Sequence, residues 1–131
     1  MLTIFDRFAS WQSEARGVLR IMTGLLIMQH GTQKLFNFPD ATKGSADLAS
    51  LMGLAGIIEF FGAVLFVIGL WTRPVAFLLA GFCAVAYWMA HAGRSLYPIM
   101  NGGELAALYC FVFLYFVAAG AGAWSVDGRR D

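Results

Sequence analysis

Cysteine is nearly missing from this chain. Cys83 and Cys110 are the two present among 131 residues, and both sit inside apolar runs, which excludes a disulfide framework and a cysteine-based metal site by spacing. Charge is thin as well. Only 13% of residues are charged, about half the roughly 25% of a soluble domain. The formal net charge of +1 comes without any Lys/Arg cluster, so nucleic acid is set aside as a partner. No His/Glu pair stands at i,i+3 or i,i+4 on one helix, and no metal site is expected. G-x-S-x-G, phosphate-loop and dinucleotide fingerprints are absent, and no motif calls for a bound cofactor. Residues 1–16 are too polar for a signal-peptide core, so the first apolar segment is expected to stay in the membrane.

What fills the chain is oil. Hydrophobic residues make up 60%, too many for a soluble unit of this length to hide. The run Gly53 to Trp71, GLAGIIEFFGAVLFVIGLW, would be about 27 Å long as a helix, enough to cross the hydrocarbon core. It carries one acid, Glu59, near its centre. A carboxylate there must find a partner, take up a proton or open onto a polar cavity.

Three further spans complete an all-α, polytopic reading: a four-transmembrane-helix bundle with spans at about 16–36, 49–71, 74–92 and 104–121, forming one domain over residues 15–124. Residues 1–14 place Leu2, Phe5, Phe8 and Trp11 three apart, which suits a short helix in the headgroup layer or a frayed tail. The first span is the least apolar. Its Gly17, Gly24 and Gly31 repeat every seven residues beside Arg20, Ile27 and Lys34, a seam that lets a neighbour approach closely. In the second span Gly56, Glu59, Gly62 and Ala63 share a face, and in the third Ala76, Ala80 and Ala84 form a ladder of small residues. Residues 37–48 and 93–103 read as loops, and residues 125–131 as a polar tail.

Four spans put both termini on one side. Arg7, Arg16, Arg73, Arg129 and Arg130 lie there, against Lys34, Lys43 and Arg94 opposite, which favours cytoplasmic termini in a bacterial inner (plasma) membrane. Trp11, Trp71 and Trp124 then mark the cytoplasmic interface, and Trp88 and Tyr97 the outer one. By rise per residue, Glu59 falls near the midplane and His30 about 6 Å outside it. Gln33, Lys34, His91 and Glu104 fall about 10–12 Å out, with Asn101 at the rim, while Arg20 lies roughly 9 Å toward the cytoplasm.

His30, Gln33, Lys34, Glu59, His91, Asn101 and Glu104 thus form a candidate polar pocket in the outer leaflet. Two readings stay open. The pocket is either hydrated, with His30, Glu59 and His91 exchanging protons, or a set of buried pairs that fixes which helices touch. Lys34 and Arg94 can also simply snorkel, and Glu104 can serve as a helix-start charge. Arg20 reads as structural or as holding a lipid headgroup. The buried cysteines read as small hydrophobes.

At these residues the chain resembles the DoxX family of small membrane proteins. The match runs through Arg20-Ile21-x-x-Gly24, His30-Gly31-x-x-Lys34-Leu35, Gly56-x-x-Glu59-x-x-Gly62 and Gly69-Leu70-x-Thr72-Arg73. It continues through His91, Asn101-Gly102-Gly103-Glu104 and Gly122-x-Trp124-Ser125-x-Asp127. Ala63 departs from the second glycine that many relatives carry after Gly62. The resemblance implies a four-helix inner-membrane protein. It also implies a membrane subunit of a quinone-linked redox system, with quinone as the cofactor class and redox proteins as partners, since related proteins form the membrane part of a thiosulfate:quinone oxidoreductase. The alternative is a non-catalytic scaffold or a small-solute or proton conduit. The lipid bilayer is a partner under either, and homo-oligomers are compatible with both.

Overall fold

The computed structural model describes residues 3–129; Leu2, Arg130 and the last residue of the expected tail lie outside them. It is all-helical. A 3-10 segment, Ile4–Trp11, leads directly into α1, Gln12–Phe36; then come α2, Leu51–Ile68, α3, Thr72–Ala90, a short α4, Pro98–Asn101, and α5, Glu104–Ala119. The helix ends have local causes. The Ser50 side chain accepts from the Gly53 N–H at the start of α2, and Gly69 stops that helix at φ 69°, a conformation that costs glycine little. Trp71 takes φ 51° at the α2–α3 corner, so α3 begins two residues before the proline expected to open it. The first span begins at Gln12, earlier than the expected residue 16, because the aromatic segment runs on without a break. That segment buries nothing: Ile4, Phe5, Phe8 and Trp11 are all exposed.

The four long helices pair as two antiparallel hairpins, α1 with α2 and α3 with α5, joined where α2 meets α3. The seven-residue seam on α1 is the reason for the first pairing. A Cβ added to Gly31 would stand 2.6 Å from the Phe60 N, and one added to Gly56 would stand 2.9 Å from the Lys34 Cβ. Gly24 faces Val67, so the two helices run against each other at a separation that only small residues allow, while Gly17 faces Ala123 of the segment after α5. Between the hairpins lies a core of Ile27, Ala63, Phe66, Ala76, Leu79, Ala80, Cys83, Phe113 and Phe116. Phe66 stands edge-on to both Phe113 and Phe116, each at 5.0 Å, the geometry aromatic rings prefer.

Two helices, Leu51–Ile68 and Thr72–Arg94, are long and apolar enough to cross a membrane, while α5 is apolar but shorter. Only 33% and 28% of those two are buried, whereas the core helix of a soluble protein would be mostly buried. Phe61, Phe77, Leu78, Val85, Trp88, Leu108 and Phe111 point outward instead, an apolar surface far beyond the patches of soluble monomers.

Gly31→Val places its new carbon against the Phe60 backbone, which cannot yield. We expect it to destabilise the protein by about 1–3 kcal/mol, seen as a lowered melting temperature in detergent. Gly81→Val, where nothing lies within 4 Å, should melt like the parent.

Candidate functional site

Lys34 and Glu59 meet across the α1–α2 seam. Glu59 is 4% exposed, and the Lys34 Nζ donates to its Oε1 at 2.8 Å and its Oε2 at 2.9 Å. The lysine stem lies over Gly56, one turn from the acid, so the small residue clears the path for the pair. His30, one turn before Lys34, is exposed and close enough for its charge to act on Glu59. Cys83 of α3 is near enough for the charge of the same carboxylate to reach it. The arrangement neutralises a charge inside an apolar bundle, and it leaves a titratable ring at its edge.

The remaining polar residues of that half go elsewhere. The Gln33 Nε2 donates to the Asp40 carbonyl at 2.9 Å and its Oε1 accepts from the Asp40 N–H at 3.0 Å, pinning the α1–α2 loop. His91 belongs to a second cluster on the α3–α5 hairpin, its Nδ1 lying 3.2 Å from the Asn101 carbonyl. Asn101 is 1% exposed. Its Nδ2 donates to the Tyr87 hydroxyl and the Ser95 carbonyl, and its Oδ1 accepts from the Gly103 N–H. Glu104 is exposed at the first position of α5. Among the described residues, no hydrogen bond or ion pair joins this cluster to the Lys34–Glu59 pair. The seven candidates divide between the two hairpins.

Asp40 is the loop group with a displaced titration. Hydrogen bonds from the Thr42 hydroxyl, 2.5 Å, and the Thr42 N–H, 3.0 Å, hold its carboxyl below the ordinary range. A depressed folded value stabilises the turn at all pH above the unfolded value of about 3.9, and that support is lost as pH falls through the lower folded value.

The densest polar construction lies at the other end of the bundle. Arg20 has 0% exposure. Its guanidinium donates to the carbonyls of Val67 at 3.3 Å, Ala121 at 2.5 Å, Ala123 at 3.0 Å and Trp124 at 2.7 Å. A guanidinium stays charged in proteins, so burying it requires acceptors on every side. The segment 120–127 supplies most of them by folding back over α1 and the α2–α3 corner. The Ala123 N–H donates to the Ser13 carbonyl, Val126 to Ile68 and Asp127 to Gly69. In return the Asp127 carboxylate accepts from the Trp71 and Thr72 N–H groups, at 3.0 and 2.8 Å. Arg16 donates to the Ala119 carbonyl at 2.9 Å, and Arg73 to those of Val117, at 2.9 Å, and Ala118. A groove of about 750 Å³ runs between these pieces.

The polar pocket expected from the sequence lies toward the opposite end of the bundle, and this end is expected only as a tight connection and a polar tail. A signal for it was present. Arg20, Gly69, Thr72, Arg73, Gly122, Trp124, Ser125 and Asp127, which carry much of the resemblance to the DoxX family, are brought together here from three parts of the chain.

An all-helical protein that turns its apolar side chains outward and settles its charges inside is a membrane protein. It belongs to the DoxX family, whose profile matches residues 16–92. It is also 44% identical, over 116 residues, to an uncharacterized protein of Haemophilus influenzae, covering 85% of this chain and 87% of that one. No solved structure matches.

Arg20→Met would strip the donors from the Ala121, Ala123 and Trp124 carbonyls, at about 1–3 kcal/mol for each group left unpaired. We expect release of the segment after Ala119, visible as new protease cleavage there. In the loop, the Thr42 amide resonance should hold steady from pH 7 to pH 5 and move only as pH falls below the ordinary carboxylate range and Asp40 protonates.

Proposed function

We propose that this protein is a multi-pass subunit of the bacterial inner membrane, with four spans and both termini in the cytoplasm, and that it acts as a non-catalytic scaffold for partner proteins. The antiparallel hairpins and the charge asymmetry between the two ends support the topology. The scaffold role is carried by one observation: the ionisable groups within the bundle are answered by the chain itself. Lys34 serves both oxygens of Glu59, and Arg20 spends its donors on backbone carbonyls. Groups held this way fix helix contacts. The catalytic part of any redox system would then reside in a partner.

A second reading, a quinone-linked subunit, has its own support in the exposed His30 beside the buried carboxylate. Quinone oxygens gain and lose protons as electrons move. His30 would exchange a proton with such an oxygen at the edge of the Lys34–Glu59 pair. The groove of about 750 Å³ is not lined by either residue, so a quinone would meet His30 from the lipid side.

Lys34→Met, Glu59→Gln and the double variant separate the two readings. For a scaffold, each single variant should be destabilised by about 3–5 kcal/mol, with much of the loss recovered in the double variant, whose neutral pair leaves no charge unanswered. Glu59→Gln that melts like the parent yet abolishes quinol oxidation in membranes with their native partners would overturn the scaffold in favour of proton exchange. Reporters fused to the two termini should both read cytoplasmic.

A further inference from the structure

We propose that the groove at the terminal end of the bundle is a binding site for the phosphate of an anionic phospholipid headgroup, held by Arg16, Arg73 and Thr72. This goes beyond the scaffold and quinone readings and stands or falls separately from both. The two guanidiniums come from different helices and are fixed in place from below. The last-turn carbonyls of α5 hold Arg16 through Ala119 and Arg73 through Val117 and Ala118. Capping a helix end is a structural duty in itself, but it uses few of the five donors on each group. The Arg16 Nε is buried without a hydrogen-bond partner among the described residues. Among the described residues the ion pair is Lys34–Glu59, at the other end of the bundle, and neither arginine has a carboxylate within ion-pair reach.

Thr72 is the second, independent observation. It lines the groove, is 1% exposed, and its hydroxyl has no partner among the described residues. A buried hydroxyl left unpaired costs stability, and a phosphate oxygen is the acceptor that would settle it. Two arginines and a buried, unpaired threonine hydroxyl thus meet in the groove wall. Asp127 is the acid in its wall, and it accepts from the Trp71 and Thr72 amides. Two arginines against one aspartate leave the described lining positively charged. A volume of about 750 Å³ falls within the roughly 300–1,000 Å³ of small-ligand sites. Trp71 and Trp124, 58% and 63% exposed, stand at its edge, where indoles favour the headgroup level. A phosphodiester with acyl chains beside it meets both features; a free phosphate meets only the first.

The test is melting of the delipidated full chain in detergent, titrated with phosphatidylglycerol, phosphatidylcholine or inorganic phosphate. Phosphatidylglycerol should raise the melting temperature saturably, phosphatidylcholine much less and inorganic phosphate little, and the effect should weaken with salt. Arg73→Gln and Arg16→Gln should each weaken the half-saturating lipid concentration by about tenfold, and Arg94→Gln, at the other end, should not. Thr72→Val guards against variants that fold poorly. Without lipid it should melt at or above the parent temperature, because it removes an unpaired hydroxyl, and its lipid response should be weaker. Equal responses to the two lipids, or a Thr72→Val response like the parent's, would overturn the proposal. Inorganic phosphate matching phosphatidylglycerol would overturn the lipid source and assign the groove to a free phosphate ester.

Discussion

A charge placed among apolar helices must be answered inside the chain, and much of this architecture follows from that requirement. Glu59 sits at the middle of α2, where no water reaches it cheaply. Lys34 arrives from α1 only because glycines at 24, 31 and 56 let the two helices close on each other. Small residues and ion pair are thus one device. Without the close approach the lysine could not lie over Gly56, and without the pair the approach would trap a bare carboxylate. Packing selects the partners, and electrostatics makes the selection costly to undo.

The second hairpin solves the same problem with neutral groups. Asn101 is fully enclosed, yet its amide donates to Tyr87 and Ser95 and accepts from Gly103. This closes the α3–α5 connection from within. One buried side chain stands in for the regular backbone bonds that an irregular turn forgoes. The apolar layer between the hairpins, centred on Phe66, then has two rigid walls to fill against.

Much of the fold was legible in the sequence because it is periodic. Apolar runs announce helices, and a glycine every seven residues announces a contact face, so the approach of Lys34 and Glu59 could be anticipated. The division of the polar residues into two clusters could not. Depth along a helix fixes how far His91 and Glu59 lie from the membrane surface, but it says nothing of which side each ring faces across the bundle. The terminal construction was harder still. Arg20 meets residues about one hundred positions away through backbone carbonyls, and every residue has a carbonyl. An acceptor without a side-chain signature leaves no pattern to read. Buried arginine was visible; its acceptors were not.

The strap over Arg20 also orders events in time. A ribosome delivers this arginine long before it delivers Ala121, Ala123 and Trp124, so the first helix must wait, its guanidinium served by water or lipid phosphate, until the rest of the bundle has been made. Completion of the chain is therefore what settles the Arg20 guanidinium on its own carbonyls.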